Sequence, residues 1–421
     1  MQLFPQIFKK FEKKKEGKIV KEWGFLAEDV ITTNPAVSKD NSTIVFGTKN
    51  GKIYSLDSNG KLRWTYAIKK KLGKEQLFFL EEKKFKQVSA KPVIADLNND
   101  GKDEIIISSE VGALFVLNLN GKLLWSFSAE DAIKTSALVA DINNDKKPEV
   151  IFGSNDSFIY ALNDKGKLLW KFKAKSGIES TPAIIKDKQN QIIFGSNDGT
   201  IYSIDKKGKV LWEFKTEDKI TAQPTIGTLD NKNTHIVVGS FDTNLYALDY
   251  NGNLIWKYPT EGKIFSKAVV LDVNKDNKPE ILVGSCDNKL HVISNRGNRI
   301  WDYETNFWVV TSPMVLDFDN DNKLEIVIGS YDSYIYVLDS EGNFVLDYVP
   351  GISSITQQSG HYFDVITKEP GDFHGKLLYK YKEDAMITGL TPLLNHRNGI
   401  LIITNTKKLD KIIYKKILRG S

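Results

Sequence analysis

Four short stretches of this chain carry side-chain oxygen at one fixed spacing. They are Asp96-Leu-Asn98-Asn-Asp100-Gly-Lys-Asp-Glu104, Asp141-Ile-Asn143-Asn-Asp145-Lys-Lys-Pro-Glu149, Asp272-Val-Asn274-Lys-Asp276-Asn-Lys-Pro-Glu280 and Asp317-Phe-Asp319-Asn-Asp321-Asn-Lys-Leu-Glu325. Each offers oxygen at positions 1, 3, 5 and 9. A tight turn swings alternate side chains towards a common centre, and the acid at position 9 closes the shell from the next element. Ca2+ is a hard cation that takes roughly six to eight oxygens, and a backbone carbonyl at position 7 would add one more. Position 6 must turn left-handed, which suits Gly101, Asn277 and Asn322. Lys146 is less comfortable there, so the second loop is expected to bind more weakly. The expectation is a structural calcium ion. Its rival is a set of turns capped by acids and amides with no metal.

Other chemistry is sparse. Asp156, Asp198, Asp242, Asp287 and Asp332 recur in register and would ring one rim; such residues usually hydrogen-bond the backbone of their own turn. The five histidines, His235, His291, His361, His374 and His396, are scattered. No phosphate-cradling glycine loop and no nucleophile elbow is present. The only cysteine, Cys286, excludes an internal disulfide and any multi-cysteine metal site. Phe307 and Trp308 stand between repeats, on a loop of the kind that carries ligands. Burial against the neighbouring loop is the expectation for such large rings, and an exposed partner-binding anchor is the alternative.

The elements that hold these loops repeat. Gly60-Lys-Leu-Arg-Trp64 returns as Gly121-Lys-Leu-Leu-Trp125, Gly166-Lys-Leu-Leu-Trp170, Gly208-Lys-Val-Leu-Trp212, Gly252-Asn-Leu-Ile-Trp256 and Gly297-Asn-Arg-Ile-Trp301. It then decays to Gly342-Asn-Phe-Val-Leu346. After a first interval of 61 residues the spacing is 42 to 45, the length of a four-stranded propeller blade. Within one unit, Thr181-Pro-Ala-Ile-Ile, Gln191-Ile-Ile-Phe-Gly-Ser, Thr200-Ile-Tyr-Ser-Ile-Asp and Gly208-Lys-Val-Leu-Trp-Glu-Phe read as four strands of a meander. The recurring tryptophans share one slot, which assigns them to packing between blades.

First strands begin near Asn34, Lys91, Ser136, Thr181, Gln223, Lys267, Ser312 and Thr391, giving eight units. The last lacks a fourth strand, and Gly17-Lys-Ile-Val-Lys-Glu-Trp23 matches that strand with no unit before it. The prediction is an all-β, eight-bladed β-propeller of antiparallel blades, closed by the N-terminal strand. Closure removes the sheet edges, so a monomer is expected. Residues 1–16 form a tail, and 17–421 one domain with insertions near 69–87 and 351–381. The second insertion ends in Gly375-Lys-Leu-Leu-Tyr379, read as part of an extra hairpin in preference to a degenerate ninth unit.

Composition sets outer bounds. The chain has 421 residues, 41% hydrophobic and 11% aromatic, which excludes the disordered class. A net charge of +5 is too small for a nucleic-acid footprint at this length. No apolar run approaches a membrane span, and the N-terminal residues lack the order of charges of a signal peptide. A cytoplasmic location is expected; an exported one follows if a signal has been removed.

The Gly-Lys-Leu-Leu-Trp strands, the Ile-Tyr-Ala-Leu-Asp-type third strands and the Thr-Pro first strands resemble the PQQ-like (quinoprotein-type) propeller repeat, from Gly17 to Leu418. The acidic loops are similar to the calcium loops of FG-GAP repeats, as in integrin α-subunits. Quinoprotein dehydrogenases place an adjacent cysteine pair by their cofactor, which Cys286 alone cannot supply, so PQQ is not expected. The leading expectation is a non-catalytic, calcium-stabilised scaffold that binds another protein or a polysaccharide through its loops. Two alternatives stay open: a quinone- or polysaccharide-related enzyme using the central funnel, and an envelope assembly factor, whose relatives carry a lipidated N-terminal cysteine.

Overall fold

The computed structural model describes residues 17–68, 87–340, 377–393 and 399–416. The tail, nearly all of the first insertion, Gly342 to Leu346, most of the second insertion, and His361, His374 and His396 lie outside the described residues.

Thirty-two strands among the described residues form eight four-stranded antiparallel sheets. Seven sheets are sequential meanders. The eighth is built from Ile387–Leu393, Gly399–Thr404 and Lys408–Lys416, with Gly17–Leu26 as its outer strand. This is the expected eight-bladed propeller, closed by its N-terminal strand. One expectation needs correcting. Leu377–Lys382 is no hairpin: it pairs with Tyr334–Asp339 and is the outer strand of blade seven. Gly375-Lys-Leu-Leu-Tyr379 is therefore the seventh copy of the fourth-strand motif, displaced in sequence by an insertion inside the blade.

The core lies between blades. One cluster joins Leu97, Ile106 and Leu114 of blade two to Val150, Phe152 and Tyr160 of blade three. Across the closure, Leu401 and Leu409 of blade eight meet Ile44 and Phe46 of blade one. Second and third strands are buried on both faces, which is why they read as continuous apolar runs.

The Gly-x-x-x-Trp motif supplies both halves of a joint. Trp64, Trp125, Trp170, Trp212 and Trp256 each donate the indole N–H to a carbonyl in the third-to-fourth-strand turn of the next blade, at 2.7–3.1 Å. Each ring also covers that turn's glycine: a Cβ on Gly121, Gly166, Gly208, Gly252 or Gly297 would come within 2.5–3.0 Å of it. These glycines have φ of +77 to +83°, so any other residue would be strained as well as blocked. Two residues on, a second aromatic repeats the joint. Phe127, Phe172 and Phe214 pack edge-on against Tyr160, Tyr202 and Tyr246 of the following blade.

The second-to-third-strand turns need one residue at positive φ. Gly51, Gly112 and Gly199 fill that place in three blades, but Ser157, Thr243, Asn288 and Ser333 hold it at 70–74° in four others. The β-branched Thr243 is the most strained of these. Thr243→Gly should therefore stabilise the protein by about 1 kcal/mol, read as a higher urea midpoint. A lower midpoint would show that the turn is not strained.

Candidate functional site

A meander places the first-to-second and third-to-fourth connections of every blade on one face, and the other connections on the opposite face. The acidic loops share the first face. In each, the position 1 aspartate accepts N–H groups from the loop it encloses. Asp96 binds Asp100 and Gly101, Asp272 binds Asp276 and Asn277, and Asp317 binds Asp321 and Asn322 at 2.8–3.2 Å. Asp141 does the same for Asn144 and Lys146. The position 5 aspartates, Asp100, Asp145, Asp276 and Asp321, accept the position 7 N–H.

Position 9 ties the loop shut. Glu104, Glu149, Glu280 and Glu325 are buried, and each accepts the N–H of Leu97, Ile142, Val273 or Phe318 at 2.8–3.0 Å. Those four position 2 side chains are themselves buried and anchor the loop to the core. Position 6 is left-handed in all four loops, Lys146 included, at φ 66–81°. Position 4 is left-handed as well, at Asn99, Asn144, Lys275 and Asn320, a requirement the spacing of oxygens did not suggest.

The loops differ at their centres. In blade seven, carboxylate oxygens of Asp317, Asp319 and Glu325 lie within 4.8 Å of one another. In blade three the Asn143 amide N–H2 sits among the acids, donating to Glu149 Oε1 (2.7 Å) and Asp145 Oδ2 (3.1 Å). Asn98 makes a longer version of the same contact to Asp100 in blade two, at 3.4 Å. In blade six, burial and then the charges of Asp276 and Asp272 push the Glu280 carboxyl up to about 7. The same causes raise Glu104 and Glu149. Where the acids are lost, neutral groups take position 9: Gln191 accepts from Ser203, and His235 Nδ1 accepts the Leu229 N–H. Neighbouring loops are linked, Asn231 Nδ2 to the Asn277 carbonyl (2.6 Å) and Lys275 Nζ to that of Asn322 (3.0 Å).

On the opposite face the recurring aspartates serve their own turns. Asp156, Asp198, Asp242 and Asp332 each accept the N–H two residues on and the tyrosine hydroxyl four residues on. Blade six substitutes a histidine: His291 Nε2 lies 2.9 Å from Asp287 Oδ2, and Nδ1 lies 3.3 Å from the Tyr258 hydroxyl. Burial alone would raise Asp287, yet His291 and backbone N–H groups hold it below the usual carboxylate value. Next to it, burial and then the Asp287 charge push the Cys286 thiol up to about 11, which disfavours a nucleophilic thiolate.

This face also departs from its repeat in a second slot. In all eight blades the residue after the second strand's last Ser, Thr or equivalent donates its N–H to a carbonyl of the incoming connector. Blades one to four fill the slot with Lys49, Glu110, Asn155 and Asn197; blades five to seven use Phe241, Cys286 and Tyr331. The paired connector residues are Lys219, Lys263 and Trp308 in blades five to seven; in blade eight the slot returns to a polar residue, Asn405, paired with Met386. Phe265, Phe307, Trp308 and Met386 are 39–42% exposed, so the expected burial of Phe307 and Trp308 is only partial. Their rings stack on each other at 5.3 Å and flank Tyr331 at 6.2–6.3 Å. Ser330 Oγ fixes the Phe307 carbonyl and the Tyr331 N–H fixes that of Trp308, so the rings stand on a held backbone. Phe241 lies under Phe265, with Lys219 and Lys263 over its ring.

The family model of the beta-alanine-activating enzyme β-propeller matches residues 85–369, more than half of the chain. The chain belongs to that β-propeller family. A second model, that of the outer membrane protein assembly factor BamB, matches residues 20–141, which agrees with the PQQ-like repeat. No curated protein matches the chain. Among solved structures, BamB from Moraxella catarrhalis superposes with a TM-score of 0.64 at 13% identity, covering 94% of this chain and 99% of its own. The computationally designed Ika8 protein gives 0.63 at 16% identity, with 95% and 100% covered. BBS1N, crystallised in complex with ARL6DN, gives 0.51 at 13% identity, with 78% and 93% covered. At these identities the likeness is one of fold. Among the described residues, no helix is long and apolar enough to cross a membrane.

Proposed function

We propose that this propeller is a non-catalytic scaffold, pinned by calcium in its acidic loops, that docks another protein through the aromatic side of its opposite face. The observation that carries this reading is the one-sided change of the ring slot. A repeat protein fills equivalent positions alike unless something else selects them, and exposed stacked aromatics on a fixed backbone are the material of interface anchors. Support comes also from the similar propellers, one described as an assembly factor and one crystallised with a partner. The calcium part rests on the convergence of Asp317, Asp319 and Glu325 and on buried glutamates in blades two, three and six that no cation among the described residues balances.

The test is affinity capture from the native source, comparing the unmodified chain with Phe307→Ser/Trp308→Ser. Both rings are partly solvent-exposed, so the variant should melt within about 2 °C of the parent. A protein held by the parent and lost by the variant supports the reading. Equal capture by both would overturn the docking face, and turnover of a quinone or sugar substrate would overturn the non-catalytic assignment.

A further inference from the structure

The inner strands surround a central channel whose mouth is lined by one residue from each blade: Asn34, Lys91, Ser136, Thr181, Gln223, Lys267, Ser312 and Thr391 stand at the same step before or within the first strand. All eight can hydrogen-bond, two are cationic and none is acidic. Lys91 belongs to blade two and Lys267 to blade six, four blades apart in a ring of eight, so they face each other across the channel. Lys91, Ser136, Thr181 and Gln223 border a cavity of about 340 Å³, with Val93 and Ile94 below them.

We propose that this mouth binds a small tetrahedral oxyanion of the phosphate class, bridged between the Lys91 and Lys267 ammonium groups. Neither ammonium has a carboxylate partner among the described residues, whereas nearby Lys134 is paired with Glu179 at 3.1 Å. Both side chains keep contact with solvent, but the protein ringed around them costs each ammonium part of its hydration and lowers both pKa values, and the positive charge of Lys267 lowers that of Lys91 further. Two like charges thus share one water-filled mouth above an apolar floor, where the surrounding protein leaves their interaction stronger than on an open surface. A dianion between them replaces repulsion by two attractions. The hydroxyls are oriented to help. Thr181 Oγ1 accepts the Ser136 N–H and Ser312 Oγ accepts the Lys267 N–H, each at 3.1 Å. With their lone pairs engaged by the backbone, both hydroxyls keep a proton to donate to anionic oxygen.

The experiment uses the full chain in calcium-free buffer, with inorganic phosphate as the probe and sodium chloride of equal ionic strength as the control. Phosphate at 10 mM should raise the melting temperature by roughly 2 °C or more beyond chloride, and calorimetric titration should give a single site. Lys91→Gln and Lys267→Gln should each weaken binding about tenfold, Lys267→Arg should retain it, and Lys175→Gln on the outer surface should leave it unchanged. Each glutamine variant removes one of two repelling charges, so it should melt no lower than the parent in chloride. No rise beyond chloride would overturn the proposal. So would an equal rise in the Lys91→Gln/Lys267→Gln double variant, which would mean an adventitious ion only. Binding of acetate as tight as that of phosphate would also overturn it, in favour of a carboxylate ligand such as a partner's acidic side chain.

Discussion

Millimolar Ca2+ added to metal-stripped protein is expected to raise the melting temperature by on the order of 5–10 °C, with Mg2+ far less effective. An ion that binds only the folded chain stabilises it by about 2.7 kcal/mol per site at a hundredfold excess over Kd, and several sites add. Mg2+ asks for shorter, octahedral bonds that a loop shaped for seven or so oxygens does not give. Blade seven should contribute most, because its third position is an acid, so Asp319→Asn/Glu325→Gln should remove the largest share of the shift. Blade three should contribute least: Asn143 already satisfies Glu149 and would have to turn its amide over. The pH dependence has a definite sign. Glu280 binds its proton more tightly when folded, at about 7 against an ordinary 4.5. Its share of stability is therefore full at low pH and lost as pH rises through that window. Bound calcium should flatten this loss. A melting temperature indifferent to calcium would leave the loops as ordinary turns. A shift that needs millimolar ion would move the proposed location from the cytoplasm to a calcium-rich exterior.

Trp23→Ala/Phe25→Ala should cost roughly 3–5 kcal/mol and convert part of the protein to oligomers, whereas Trp170→Ala/Phe172→Ala should cost a similar amount and stay monomeric. The two pairs occupy equivalent slots. Trp23 covers Gly60, and Phe25 packs edge-on against Phe46 and Tyr54, as Trp170 and Phe172 serve the next blade. The difference is connectivity. Blade three is one continuous meander, but Gly17–Leu26 is held to Lys408–Lys416 only by pairing and by contacts such as Lys21–Asp410. When that strand frays, blade eight presents an open edge that another chain can pair with. Size-exclusion chromatography separates the cases, and identical elution of both variants would show that the closure is no weaker than the other joints.

Much of this was legible in the residues because the repeat announces itself. Gly-x-x-x-Trp gave the blade spacing, eight first strands gave the number of blades, and an orphan copy at Gly17 gave the closure. The same motif misled once. At Gly342 it is decayed, and the intact copy at Gly375 sits beyond an insertion, so the strand of blade seven looked like an extra hairpin. Strand order depends on which edge is left unpaired, which the alternation pattern does not encode. In the acidic loops, oxygen spacing located the ligand candidates, but the second left-handed residue and the buried anchor at position 2 are backbone and packing requirements. Asn99 and Leu97 carried those signals, as asparagine and as an apolar residue among acids. On the opposite face, Phe307 and Trp308 stood out in the residues, but the aromatics around them did not, because they are far apart in sequence. Phe241, Phe265, Trp308 and Tyr331 meet only when slots are compared blade by blade.

The closing strand also sets an order in time. Lys21 and Asp410 are 389 residues apart, so the closing strand waits for a partner synthesised 389 residues after it. At about 5–20 residues per second, that wait is roughly 20–80 s. Blades one to seven can assemble in turn during it, since each uses neighbours already made, while the waiting segment keeps its backbone groups in water. Closing so long a loop costs little more than closing a short one, because the entropy grows only with the logarithm of length. The delay is therefore set by translation and not by the search. A chain halted before Lys408 has nothing for the closing strand to join, and it stays open to quality control that a finished ring escapes.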